Sequence, residues 1–170
     1  MVQRDDGRPA PGALAGIAEL IVLVAIPLLA GWIGSLATMP NIPTWYAGLA
    51  KPAFTPPGTV FPIVWTILYV LMGVAAWLVW RAPAPADLRR AGLAAWIVQL
   101  VLNVLWSFAF FGAHSPLAGM IVIVVLLAAI VVTILAFRRV SGWAAVLMLP
   151  YLAWVCFASV LNAAILALNG

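Results

Sequence analysis

The sequence predicts an all-α membrane protein, a bundle of five transmembrane helices with a long first loop acting as a lid. Three observations predict it. First, 67% of the 170 residues are hydrophobic and only 7% are charged, with a mean hydropathy of +1.21; soluble domains carry roughly a quarter charged residues. Second, the apolar residues fall in five blocks, at 14–37, 61–80, 91–111, 116–137 and 143–168. Each block reaches about the 20 residues that a helix needs to cross a hydrocarbon core of ~30 Å. Third, the blocks are apolar on every face, whereas a barrel strand alternates polar and apolar positions over about ten residues. Together they define a single membrane domain over 14–170, preceded by a short segment, 1–13.

The first block follows Arg4 and Arg8 as a secretory signal would. It is too long for a signal h-region and has no convincing cleavage site, so it reads as a membrane anchor. Asp5 and Asp6 argue against a mitochondrial transit peptide.

The connection over 38–60 is the longest and holds Pro40, Pro43, Pro52, Pro56 and Pro57, with Pro62 just beyond. Loops longer than about 12–15 residues without secondary structure are uncommon and often functional, and each proline fixes its own φ and restricts the residue before it. Thr44 to Leu49 fits a short helix with Thr44 as N-cap and Trp45 and Leu49 on one side. Two readings stand: a stiffened lid over the mouth of the bundle, or a spacer whose Trp45 and Tyr46 sit in the headgroup belt.

The second block places Phe61, Trp65, Tyr69 and Met72 at helical spacing. The third places Trp96, Gln99, Asn103, Trp106 and Phe110 on one face, and the fifth offers Tyr151, Trp154, Ala158 and Leu161. An amide in the middle of a span is costly facing lipid, so Asn103 should point inward. There it serves as interhelical glue, as a ligand contact, or as both. Trp80 and Trp143 lie at block ends beside arginines and read as interfacial anchors; Trp65, Trp106 and Trp154 lie deeper. Aromatic walls with few polar groups suit a flat, rigid, mostly apolar ligand.

Arg4, Arg8, Arg81, Arg89, Arg90, Arg138 and Arg139 fall on one side of such a bundle and Lys51 on the other. The positive-inside rule then expects a cytoplasmic N-terminus, with the first loop and the C-terminus outside. The net charge of +4 needs no nucleic-acid partner. Cys156 is the single cysteine, so the chain has no internal disulfide; it reads as a small buried hydrophobe. Catalytic equipment is sparse: Glu19 and Asp87 lie near helix ends, and His114 reads as a solvated loop residue. No catalytic triad spacing or metal-ligand spacing is visible. Gly31 and Gly34, or Ala91, Ala94 and Ala95, would let helices or subunits approach closely.

The stretch Trp45-Tyr46, Lys51-Pro52-Ala53-Phe54-Thr55-Pro56-Pro57, Phe61-Pro62-Ile63-Val64-Trp65 and Leu68-Tyr69 resembles the first-loop and second-helix signature of the TspO/translocator protein family. So do Gln99-Leu100, Asn103, Trp106 and Phe110-Phe111, and then Pro150-Tyr151-Leu152-Ala153-Trp154 with Leu161-Asn162. The resemblance implies a five-helix bundle, commonly a homodimer in a bacterial cell membrane. It implies porphyrin or haem as ligand, with no cofactor required, in a pocket closed by the first loop. The residues similar to the family's pocket are Tyr46, Pro56, Trp65, Tyr69, Asn103, Trp106, Trp154 and Ala158. Phe54 stands where the family usually has tryptophan, which weakens any role needing an indole in the lid. After Asn162 both the tyrosine and the basic residue of the proposed cholesterol motif are missing, so sterol binding is not implied. Three functions follow as expectations: a tetrapyrrole receptor or translocator-like regulator, a protein promoting light- and oxygen-dependent porphyrin breakdown, or a transporter. Five spans without an inverted repeat give the last little support.

Overall fold

The computed structural model describes residues 12–170; Arg4, Asp5, Asp6 and Arg8 lie outside the described residues. Among the described residues are five helical spans long and apolar enough to cross a membrane. They are built from α1 (Ala13–Thr38), α2 (Val60–Arg81), α3 (Ala86–Ser107), α4 (Pro116–Arg138) and the pair α5 (Gly142–Leu147) and α6 (Leu149–Asn169).

The largest difference from the sequence reading lies at the end of α1. The chain stays helical through a 3-10 turn, Met39–Asn41, and a π turn, Ile42–Tyr46. Pro40 and Pro43 fall in the first two positions of these turns, where a missing N–H costs little. Thr44 is therefore not an N-cap: its hydroxyl donates back to the Pro40 carbonyl at 3.1 Å, inside a continuing helix. The irregular part of the first connection begins near Leu49 and ends at Thr59. The apolar underside is present, since Trp45, Tyr46 and Leu49 pack against the buried cluster of Phe110, Phe111, Leu161 and Ile165.

Local signals set the other ends. Ser115 caps α4 by accepting from the Ala118 N–H at 3.1 Å, with Pro116 at the first helical position. Ser141 caps α5 through the Ala144 N–H at 3.3 Å. Pro150 stands at the second position of α6, so the fifth span breaks at Met148 into two helices. Helix α3 starts at Ala86, earlier than expected, with Asp87 in its first turn, and ends in a π turn, Phe108–Gly112.

Around the bundle the order is α1, α2, the α5–α6 pair, α4 and α3, with α3·α4 and α1·α2 the most extensive pairings and α2·α6 sparse. At Gly73 a Cβ would lie 2.5 Å from Val24 Cα and 2.8 Å from the Leu23 carbonyl, so α1 and α2 meet backbone to backbone. Gly31 and Gly34 likewise face Tyr69 and Ser107 of the same chain. Ala91 and Ala94 lie on the outer surface. Near the arginine-bearing end, Arg81 pairs with Glu19 at 3.3 Å and lies over the Trp77 ring, tying α2 to α1. Trp80 and Trp143 are exposed, as anchors would be. Cys156 is also exposed on the outer side of α6, not buried as expected: it follows Val155, which faces the core, by one position and so turns away from it.

Candidate ligand-binding site

The α3 stripe turns inward along its length, and Asn103, 3% exposed, forms its polar centre. Its Oδ1 accepts from the Tyr69 hydroxyl on α2 at 2.9 Å, and its Nδ2 donates to the Tyr151 hydroxyl on α6 at 3.2 Å. One amide thus joins three helices. Tyr69 has room because Gly31 offers no side chain: a Cβ there would strike the Tyr69 ring. Trp65, one turn before Tyr69 on α2, stacks on it at 5.4 Å between centroids and meets Tyr151 edge-on at 6.2 Å.

A second cluster lies toward the first connection. Trp106 stacks on Phe110 at 5.5 Å, and its indole N–H donates to Asn162 Oδ1 at 3.3 Å. Asn162 completes its own bonding by donating to the Pro116 carbonyl at 2.8 Å. Tyr46 and Trp45 close over Phe110 and Phe111 with ring centroids 5.5 to 6.4 Å apart. Lys51 sits above Tyr46, its Nζ 4.7 Å from the ring centroid, and donates to the Ala47 and Leu49 carbonyls, which closes off the helical extension of α1. His114 is exposed in its loop, as a solvated residue would be, and is anchored there as well: it stacks on Trp45 at 5.0 Å and its Nε2 lies 2.7 Å from Asn41 Oδ1.

The third group is on α6. Trp154 meets Phe61 edge-on at 5.8 Å and Phe157 at 5.4 Å, while Phe54 of the loop rests on Phe157 at 6.4 Å. Trp154 and Phe157 also line an apolar groove of about 480 Å³ between α2 and α6, with Val64, Leu68, Leu71 and Ala153 on its walls. The sparse α2·α6 pairing leaves this opening on the side of the bundle. Ala158 packs against the main core, and Pro56 is half-buried in the loop.

Of the eight residues selected from sequence, Trp65, Tyr69 and Asn103 form one connected group. Trp106 and Tyr46 share the Phe110 and Phe111 cluster. Trp154 borders the groove, and Pro56 is half-buried in the loop away from these clusters' ring contacts among the described residues. Tyr151, fully buried, completes the Asn103 arrangement but was not among the eight. Its signal was present in its three-residue spacing to Trp154. Nothing in sequence pointed to Gly31 as the place that admits the Tyr69 ring.

The loop is tied down from the far end of the chain. Asn169, at the end of α6, accepts from the Ala50 N–H and donates to the Ala50 carbonyl, both at 2.9 Å, while also donating to the Ile165 carbonyl at 2.7 Å. A side-chain amide paired with both backbone groups of one residue fixes that residue's position and direction.

A profile of the TspO/MBR family matches residues 23–168. The chain is similar to the tryptophan-rich protein TspO of Chlorobaculum tepidum, at 44% identity over 153 residues, 90% of this chain and 97% of that protein. The tryptophan-rich protein TspO of Archaeoglobus fulgidus is 42% identical over 153 residues, 90% of this chain and 98% of its own length. The human translocator protein is 36% identical over 137 residues, covering 80% of this chain and 81% of that protein.

Proposed function

Because this chain belongs to the TspO/MBR family and is an integral membrane protein of TspO type, we propose that it is a receptor for a tetrapyrrole, porphyrin or haem, held among the aromatic clusters under the first loop. The observation that carries this reading is the Asn103 arrangement. The buried amide is bonded to Tyr69 and Tyr151, whose rings Trp65 contacts, and Trp106 and Trp154 in the neighbouring clusters supply further aromatic walls. Flat aromatic ligands gain stacking area from such walls, and a few polar groups fix their orientation. The apolar groove beside Trp154 supports entry from the lipid, because a mostly apolar ligand is already concentrated there.

The test is a titration of protoporphyrin into the detergent-solubilised protein, followed by tryptophan quenching. Trp65→Phe, Trp106→Leu and Trp154→Phe are each expected to weaken binding two- to tenfold, matching about 0.5–1.5 kcal/mol per aromatic contact. Unchanged affinity in all three removes the proposal. The stacked Trp65–Tyr69 pair favours a second reading, in which bound porphyrin supplies light-driven chemistry and these oxidisable rings take part. An unchanged porphyrin spectrum after illumination in oxygen would sink it.

Orientation and assembly belong to the same proposal. The arginine-bearing end faces the cytoplasm of a bacterial cell by charge bias. Two copies pair, with the small residues Ala91 and Ala94 on an outer face available for close approach.

A further inference from the structure

On the arginine-bearing side of the Asn103 layer, α3 turns two more polar side chains into the bundle. Gln99 is 0% exposed and Trp96 1% exposed. The Gln99 amide Nε2 faces Met72 Sδ at 3.7 Å, a weak acceptor. Its Oε1, and the Trp96 indole Nε1, have no hydrogen-bond partner among the described residues.

Buried polar groups are nearly always paired, and inside a membrane no bulk water stands ready to do it. These two are complementary, since the indole N–H can only donate and the amide oxygen can only accept. They are three positions apart on one helix, so they lie on the same face with Cβ atoms roughly 5–6 Å apart. Ala75 and Ala76 of α2 belong to the same buried cluster and occupy little space. A single molecule that both accepts and donates would satisfy both groups at once. Water is the smallest that does, and two polar partners are enough to hold it.

We propose that Trp96 and Gln99 form a binding site for one internal water molecule, which accepts from the indole N–H and donates to the amide oxygen. The site lies one turn of α3 from Asn103, in the same buried core as Tyr151, and does not depend on the identity of any ligand held by the aromatic side chains. It accounts for a glutamine kept in a core position that an apolar side chain of equal length would otherwise fill.

A crystal structure of the full chain grown from lipid tests it directly. Density within hydrogen-bond reach of both Trp96 Nε1 and Gln99 Oε1 is expected. The two atoms bonded to each other, or no density between them, overturns the proposal. In solution, the Trp96 indole proton, assigned by its disappearance in Trp96→Phe, should show a magnetisation-transfer peak to long-lived water that is lost in Gln99→Met. Persistence of that peak in Gln99→Met contradicts the site. If either variant fails to fold, the density in the unmodified chain decides.

Discussion

Asn103 uses both ends of one amide on two tyrosines, so its removal leaves two hydroxyls without their partner in a place where water is scarce. Asn103→Leu is expected to lower stability by about 1–3 kcal/mol, the cost of stranding buried polar groups, visible as a reduced Tm in detergent. If the average membrane hydrogen bond of ~0.6 kcal/mol governs instead, the loss is at the low end. Glycine positions separate contact from conformation in the same way. At Gly73 the neighbours of an added Cβ are backbone atoms of α1 that cannot give, so Gly73→Ala should cost about 1–3 kcal/mol. Gly58→Ala meets nothing within 4 Å and should be neutral in the same thermal assay. Asn103 was legible in sequence because an amide in mid-span has to turn inward. Tyr151 and Gly31 were less so, since spacing gives a helix face but not which rings interlock across helices. Cys156 was misread for a related reason: a small apolar residue carries no mark of which face it occupies.

The helices were legible from block length, and so were most of their ends to within a residue; the end of α1 and the start of α3 were not. Pro40 and Pro43 read as loop stiffeners because proline usually stops a helix. Here they begin new helical turns after α1, where no donor is needed. That leaves a short loop, from near Leu49 to Thr59, latched by Asn169 onto α6 and by Phe54 onto Phe157. The latch joins residues 119 apart in sequence, and nothing local announces it. Asn169→Ala should free Ala50 while leaving the spans intact. Hydrogen exchange over 50–59 is then expected to rise by about tenfold, as for loss of roughly 1.4 kcal/mol of local protection, with exchange in α4 unchanged. Equal protection in the variant would mean that Phe54 and the prolines hold the loop alone.

For the whole molecule, the bundle places Arg81, Arg89, Arg138 and Arg139 at one end and Lys51 at the other. In intact cells, a membrane-impermeant thiol reagent should label Ala53→Cys and not Arg139→Cys; the reverse pattern would invert the assigned orientation. Both are made in a Cys156→Ala background so that the native thiol does not contribute. Where the ligand lies in the bundle is something a bound porphyrin can report itself. Illuminated in air, it generates short-lived oxidants that attack the nearest indoles, and peptide mass spectrometry of the briefly irradiated complex reads which tryptophans are modified. Oxidation of Trp65, Trp106 and Trp154 ahead of the exposed Trp80 and Trp143 is the predicted result; modification led by Trp80 and Trp143, or spread evenly over all nine tryptophans, would contradict it.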